Sequence, residues 1–183
     1  MAYSTKGTKY DDVLYGADLK SDDYHDIISG RQGNDWISGG LSRDNLLGGA
    51  GNDTLIGGVG DDLLTGNLGD AGHTDAKSGA GPGADTFLFY AGDGHDVIGD
   101  FEIGIDTLVF GNEVGTLTFT QNSGIPGPDP ITEGPRTLYH WGAEWYYAKT
   151  GTPANPIYTT ITYDGGQIEV LGVHVNSLAE LNS

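Results

Sequence analysis

Apolar and polar positions repeat every nine residues between Gly30 and Thr65. The four consecutive segments are GRQGNDWIS, GGLSRDNLL, GGAGNDTLI and GGVGDDLLT. Position one is always glycine, position six is always aspartate and position eight is always Ile or Leu. The eighth positions are Ile37, Leu46, Leu55 and Leu64. One unit cannot bury its single aliphatic side chain alone, so the pattern predicts stacked units that share a core.

The last three residues of each unit predict a short strand whose middle side chain points to one face. We take one unit as half a coil, so two units form a full coil of eighteen residues. Aspartates eighteen apart then lie on the same flank of the stack. This places Asp35 beside Asp53 on one flank and Asp44 beside Asp62 on the other, with Asp26 eighteen residues before Asp44.

The polar positions of the unit predict a metal site. Glycine tolerates positive φ, which lets the backbone turn tightly with its carbonyls pointing inward. Carbonyl and carboxylate oxygens are hard ligands, and Ca²⁺ takes six to eight of them. Each pair of stacked aspartates is therefore predicted to hold one calcium ion between successive turns.

This spacing resembles the RTX (hemolysin-type calcium-binding) nonapeptide family, whose pattern is G-G-x-G-x-D-x-U-x. The units at 48–56 and 57–65 match every defined position. The resemblance implies an all-β fold, a right-handed parallel β-roll with calcium ions between its turns. The metal ligands expected from the central units are Asp26, Gly30, Gly33, Asp35, Gly39, Asp44, Gly48, Gly49, Gly51, Asp53, Gly57, Gly58, Gly60 and Asp62.

One central unit departs from the pattern. Ser42 replaces the fourth-position glycine, and Arg43 stands beside the ligand Asp44. A cationic side chain next to a cation site lowers its affinity. We therefore expect the sites that use Asp44 to bind more weakly than the site of Asp35 and Asp53.

The flanking units are degenerate. Within GTKYDDVLY, Asp12 takes position six, and after Thr65 the register fails until Gly83 and Asp85, within GPGADTFLF, take positions four and six. Asp12 and Asp85 are candidate metal ligands as well. The following D-V-I-x-D-F-x-x-G-x-D-x-L segment is similar to the one that closes the roll in serralysin-type proteases and other type I-exported proteins. The resemblance makes Asp96, Asp100 and Asp106 further candidate ligands. Three aromatic residues are predicted to cover the end of the narrow core: Phe87, Phe89 and Phe101.

From Gly111 onward aspartate nearly disappears and alternating apolar stretches predict antiparallel strands. A proline-rich loop is predicted at 124–135, a hairpin turn at 164–166 and a short helix at 177–181. We divide the chain into a calcium-binding roll at 1–110 and a C-terminal β-cap at 111–183. Serralysin-type and alginate-epimerase-type chains carry similar C-terminal strands, and the resemblance places a type I secretion signal at this end.

An aromatic cluster in the cap has two interpretations. Alternation along strands would place its members in pairs on shared faces, either as the core of the cap or as a carbohydrate-binding surface that stacks on sugar rings. The residues concerned are Tyr139, Trp141, Trp145 and Tyr147.

Composition and net charge argue against some classes of partner and in favour of bound cations. The net charge is −18, with 26 acidic residues against 8 scattered basic ones, which argues against a nucleic-acid partner. Self-repulsion of this size opposes a compact fold, and bound divalent cations relieve it. There is no cysteine, so calcium is the expected crosslink of a secreted chain. No segment is long enough to span a membrane.

The N-terminus lacks the apolar core of a signal peptide. Two explanations stay open: type I export, as the resemblance implies, or a chain that starts inside a longer exported protein. No HExxH, GxSxG or P-loop motif is present, so we expect no catalysis.

The favoured interpretation is a non-catalytic calcium-binding module of an extracellular bacterial protein, which folds on binding calcium. The alternatives are a polysaccharide-binding accessory module, like the repeat module that follows an alginate epimerase's catalytic domain, and an adhesin segment that recognises a cell-surface glycan.

Overall fold

The computed structural model describes residues 2–17, 25–67, 83–123 and 157–183. These residues form strands and one short helix. The elements are β1 (Ala2–Lys6), β2 (Val13–Tyr15), β3 (His25–Gln32), β4 (Trp36–Leu41), β5 (Asn45–Ala50), β6 (Thr54–Val59), β7 (Leu63–Thr65), β8 (Thr86–Phe89), β9 (Gly94–Ile98), β10 (Thr107–Phe110), β11 (Thr118–Ser123), β12 (Ile157–Tyr163), β13 (Gly166–Leu171) and α1 (Leu178–Leu181).

From β1 to β10, successive strands alternate between two sheets, and β11, β12 and β13 all join the larger one. An eight-stranded sheet has the order β1-β3-β5-β7-β9-β13-β12-β11, and a five-stranded sheet has the order β10-β8-β6-β4-β2. Pairing is parallel throughout the smaller sheet and from β1 to β13 in the larger one. Each coil thus contributes one strand to each sheet. The predicted all-β parallel β-roll is confirmed.

The eighth-position residues form the core between the two sheets. Ile37 pairs with Leu55, and Leu46 with Leu64, which is the register expected for a coil of eighteen residues. All four side chains are fully buried. The coil then lengthens, because Thr54 pairs with Thr86, yet Phe87 still stacks on Leu55 in the same register.

Aromatic residues fill the C-terminal end of this core, as predicted. Phe87, Phe89 and Phe101 are buried, and the ring centroids of Phe87 and Phe101 lie 5.9 Å apart. Phe110 makes an edge contact with Tyr163, with centroids 5.3 Å apart. The core therefore widens from one aliphatic side chain per half-coil to a cluster of rings.

The C-terminal strands extend the larger sheet. β13 pairs in parallel with β9, and β12 pairs antiparallel with both β13 and β11. Tyr163 faces Gly166 across a two-residue turn, Asp164–Gly165, in which Gly165 has φ 73°. This confirms the predicted hairpin. The division into two domains at residue 110 stays a prediction.

The predicted short helix is present as α1. The Ser177 side chain caps its N-terminus by accepting a hydrogen bond from the Glu180 backbone N–H. The predicted proline-rich loop and the cluster of Tyr139, Trp141, Trp145 and Tyr147 lie outside the described residues. Among the described residues, none of the helices has the length and apolar character needed to cross a membrane.

Asn182, just after α1, covers the edge of the five-stranded sheet. Its Oδ1 accepts a hydrogen bond from the Leu108 backbone N–H at 2.9 Å, and its Nδ2 donates to the Leu108 carbonyl at 2.9 Å. A primary amide thus takes the place of a neighbouring strand. Leu181 is buried beside it and holds the helix against the end of the roll. Blocking an edge strand in this way prevents further strand addition.

We predict that Asn182→Ala destabilises the C-terminal end of the roll. The substitution leaves the N–H and C=O of Leu108 without their partner, so unfolding should become easier by about 1–3 kcal/mol. Chemical denaturation in calcium-containing buffer measures this. Asn112→Ala, at an exposed turn residue, is the matched control. Equal stability of the two variants would show that the amide bridge contributes nothing.

Candidate metal centre

The sixth-position aspartates stack into two columns, one on each flank of the roll. Each aspartate of ladder 1 comes directly before a strand of the five-stranded sheet. Each aspartate of ladder 2 lies directly before or within a strand of the eight-stranded sheet. Ladder 1 consists of Asp12, Asp35, Asp53, Asp85 and Asp106. Ladder 2 consists of Asp26, Asp44, Asp62 and Asp96.

Each aspartate is bonded to the next through its backbone. In ladder 1, the backbone N–H of Asp35 donates to Oδ1 of Asp53 at 2.8 Å. In ladder 2, the N–H of Asp44 donates to Oδ1 of Asp62 at 2.7 Å. The remaining steps have the same geometry, at 2.7–3.0 Å, including those across the longer coils to Asp85 and Asp96. The structure thus brings together the aspartates that the eighteen-residue spacing predicted as pairs.

The second carboxylate oxygen has no such partner in the interior of the ladders. Among the described residues, six buried Oδ2 atoms lack any hydrogen bond. Buried polar atoms are normally hydrogen-bonded, and an unpaired buried charge is costly. The six oxygens belong to Asp35, Asp44, Asp53, Asp62, Asp85 and Asp96.

The first-position glycines form the opposite wall of the same space. A Cβ placed on Gly39 would lie 2.5 Å from Oδ2 of Asp44 and 2.5 Å from the carbonyl oxygen of Gly57. Gly30 and Gly48 stand in the same relation to the aspartate of their own unit and the glycine carbonyl of the next turn. Only glycine fits at position one, and its absent side chain leaves a cradle lined by oxygens.

The other glycines of the unit allow the turns to stack. Gly49, Gly51 and Gly58 have positive φ, and a Cβ on any of them would collide with the backbone of the preceding turn. Gly33 also has positive φ, and Gly60 lies against the Ser42 carbonyl. These predicted residues therefore set the spacing between turns.

Two residues occupy such positions without being glycine. Arg31 has φ 80° and Ser42 has φ 79°. Left-handed backbone costs an ordinary residue roughly 1–2 kcal/mol. The units of Asp35 and Asp44 both carry such strain, so strain does not rank their sites. The charge of Arg43 remains the reason to expect weaker sites at Asp44.

Fifth-position residues form a further ladder that the sequence analysis did not assign. Asp11 Oδ1 accepts from the Asn34 N–H at 2.7 Å, and Asn34 Oδ1 accepts from the Asn52 N–H at 2.8 Å. Asn52 Oδ1 then accepts from the Ala84 N–H at 2.9 Å. Here the side chain of the earlier turn accepts from the later turn, opposite to the sixth-position ladders. The recurrence of Asp or Asn at position five was the available signal.

The remaining candidates are satisfied by their own chain. Oδ2 of Asp12 accepts from the N–H and the hydroxyl of Thr8, and Oδ2 of Asp26 accepts from the Ala17 N–H. Oδ2 of Asp106 accepts from the Glu102 N–H. These residues close the ends of the ladders.

Asp100 belongs to neither ladder. Its carboxylate accepts from the backbone N–H groups of Gly66 and Asn67 at 2.8 and 2.9 Å. It therefore fixes the backbone where the long coil begins.

The donor set fits calcium better than a transition metal. No group of three or more His, Cys, Asp or Glu side chains converges within the described residues. An ion in the cradle would therefore take much of its coordination from glycine carbonyls and the rest from Oδ2 atoms. Such all-oxygen sites suit Ca²⁺, which accepts carbonyl and carboxylate ligands in flexible geometry.

Burial disfavours the ionised form of these carboxyl groups in the metal-free fold. It raises the pKa of Asp44, Asp53 and Asp85 to about 7, against an ordinary value of 3.8, with smaller contributions from neighbouring aspartates. The pKa values of Asp62 and Asp96 lie well above the usual range, first because of burial and then because of nearby carboxylates. A group held in this way gains from a cation that replaces its proton.

A protein-family comparison agrees with this geometry. The model of the RTX calcium-binding nonapeptide repeat, which describes four copies, matches residues 20–55 and 39–70. No match is found among curated proteins. The matched segments contain Asp35, Asp44, Asp53 and Asp62, the interior of both ladders. Residues 20–70 of this chain are thus similar to the RTX calcium-binding nonapeptide repeat family.

Proposed function

We propose that this chain is a non-catalytic module of an exported protein and that it folds when it binds extracellular calcium. The observation that carries the proposal is the set of six buried Oδ2 atoms without partners, facing a cradle of glycine carbonyls. A stable fold cannot keep so many uncompensated carboxylates. The family that the repeats resemble supplies calcium as the compensating ion.

Each interior aspartate would link two stabilising contacts. Its Oδ1 receives the N–H of the preceding turn, as at Asp53 and Asp62, and its Oδ2 would hold the ion. Calcium binding and turn stacking therefore depend on the same carboxylate. Without the ion, desolvation and repulsion oppose stacking, so the free energy of binding becomes free energy of folding.

Export and location follow as part of the proposal. RTX repeat proteins are typically extracellular bacterial proteins. A chain of net charge −18 that stays open at low calcium could pass through a type I secretion system and fold outside, where calcium is plentiful. The absence of nucleophile and zinc-protease motifs from the sequence supports a non-catalytic role.

The accessory-module and adhesin alternatives stay predictions. Both rest on Tyr139, Trp141, Trp145 and Tyr147, which lie outside the described residues. No observation in the described part of the chain favours a polysaccharide or glycan partner over calcium alone.

A calcium titration of secondary structure tests the proposal. With excess chelator, circular dichroism should show a largely disordered chain. Calcium should restore the β signal with a midpoint of roughly 10⁻⁴ to 10⁻³ M, the range of extracellular calcium modules. Magnesium is the control, because it demands smaller octahedral sites and dehydrates reluctantly. A fully folded chain in chelator would exclude coupled folding.

The two ladders should differ in affinity. Asp53 lies in a unit with glycine at position four, whereas Asp44 lies beside Arg43 in a unit with serine at that position. We expect Asp53→Ala to reduce calcium affinity more than Asp44→Ala, as measured by calorimetry. The reverse order would contradict the proposed ranking of the sites.

Protons should compete with calcium. The pKa of Asp53 is about 7 in the calcium-free fold and 3.8 in a reference chain, so the folded state binds protons that the unfolded state releases. This contribution is complete below about pH 4 and is lost as the pH rises through about 7.

In chelator, β content should therefore be higher at pH 5 than at pH 8, and calcium binding near pH 6 should release protons. Circular dichroism and a pH-stat measure these two effects. Calcium-free β content that increases toward pH 8 would contradict the sign of this linkage.

A further inference from the structure

Ladder 2 lacks a carboxylate at its C-terminal end. Asp44 is followed by Asp62 and Asp62 by Asp96, each bonded through its backbone N–H. The next strand in the sheet is β13, and its residue in register with Asp96 is Ile168. Ile168 therefore stands where a further aspartate would continue ladder 2, and its side chain has no oxygen.

The hairpin turn between β12 and β13 occupies the place of the next coil's loop. Gly166 pairs with Gly94, just as Gly94 pairs with Gly60 one turn earlier. The Asp164 carbonyl accepts a hydrogen bond from the Gly92 N–H at 3.2 Å. The turn thus lies directly over the loop that leads to Asp96.

Tyr163 brings an oxygen to this place. Its ring lies over Gly166, where any Cβ would collide with the ring, and its edge contacts Phe110. Tyr163 is only 5% exposed, and its buried hydroxyl has no hydrogen-bond partner among the described residues. The glycine at 166 therefore leaves room for the Tyr163 hydroxyl on the strand that pairs with the strand of Asp96.

The charges of three carboxylates act on this hydroxyl. Burial, followed by the charges of Asp96, Asp93 and Asp62, raises the pKa of Tyr163. Asp93 is buried, precedes Gly94 and accepts from the Tyr90 N–H through Oδ2 at 2.6 Å. The sequence analysis did not assign a role to Asp93. It lies at position three of its unit, which the repeat pattern leaves undefined.

Three buried oxygens at the C-terminal end of ladder 2 have unused hydrogen-bonding capacity. Oδ2 of Asp62, Oδ2 of Asp96 and the Tyr163 hydroxyl each lack a hydrogen-bond partner within the described residues. A phenol buried near carboxylates ordinarily donates to one of them. A cation coordinated by these oxygens would satisfy them together, because a neutral hydroxyl offers it a lone pair.

We propose that the Tyr163 hydroxyl is a ligand of the calcium ion bound at Asp96, so that the last site of ladder 2 is shared between the roll and the C-terminal hairpin. This inference rests on the proposed function, since it adds a ligand to that function's terminal site. It assigns the hairpin a role in binding: the last ion joins β12 and β13 to the coils before them. Calcium binding at Asp96 and docking of the hairpin then strengthen each other equally, as linkage requires.

Tyr163→Phe tests the proposal by removing one oxygen and leaving the ring. Calcium calorimetry should show one ion bound about ten-fold more weakly, equivalent to about 1.4 kcal/mol, with the other ions unchanged. Tyr15→Phe, at an exposed tyrosine of β2, is the matched control and should behave as the unaltered chain. Unchanged affinity and ion number in Tyr163→Phe would overturn the proposal, and the hydroxyl would then be satisfied by water.

Asp96→Asn provides a second test, because hydrogen exchange of the hairpin can be measured in this variant alone. It should weaken the same ion, and adding Tyr163→Phe to it should cause little further loss. Hydrogen exchange should show that Asp96→Asn lowers protection of Ile157–Tyr163 while the ladder 1 strands stay protected at the same calcium concentration. A hairpin equally protected with and without Asp96 would overturn the shared site.

Calcium binding by the roll and the shared terminal site can be tested separately. If the unaltered chain binds no calcium, the proposed function is wrong. If it binds calcium and Asp53→Ala weakens binding while Tyr163→Phe does not, only the shared terminal site is wrong.

Discussion

The roll depends on buried carboxylates that are only half satisfied by the protein. At each interior aspartate, such as Asp53, Oδ1 accepts a backbone N–H from the neighbouring turn while Oδ2 remains without a partner. The hydrogen bond at Oδ1 fixes the register between turns, and the unpaired Oδ2 is costly to bury. Under the proposed function, a calcium ion at Oδ2 would compensate this cost and leave the Oδ1 bond in place. Turn stacking and calcium binding would then depend on the two oxygens of the same side chain.

The two ends of the roll have different requirements from its interior. There the terminal carboxylates need hydrogen-bond donors, and the last strands need cover for their free edges. At the N-terminal end, Thr8 and Ala17 donate to the terminal carboxylates. At the C-terminal end, Asn182 imitates a strand for β10, and the hairpin places Tyr163 beyond Asp96. Nearby backbone thus closes the N-terminal end of both ladders and, at Asp106, the C-terminal end of ladder 1. The edge of β10 and the C-terminal end of ladder 2 are instead covered by chain from far along the sequence.

The sequence alone was sufficient to predict the repeating part. A fixed period of nine placed Leu46 and Leu55 in the core and Asp35 beside Asp53, because every unit makes the same contacts with the unit two positions later. Glycine at position one was predictable for the same reason, since each unit presents the same oxygens to it. Regular stacking converts a spacing in the sequence into a contact in space, so no further information is needed.

Contacts outside the repeat were decided only by the tertiary structure. The sequence could not show that Asp85 continues ladder 1 across the longer coil by accepting from Asp53, or that Asp100 binds backbone N–H groups instead of joining a ladder. Nor could it show that Tyr163 reaches the end of ladder 2. These contacts join segments whose separation follows no fixed period, so their partners depend on how strands pair. The sequence thus determined the coil and the spacing of its aspartates, whereas the pairing of β13 with β9 decided what lies beyond Asp96.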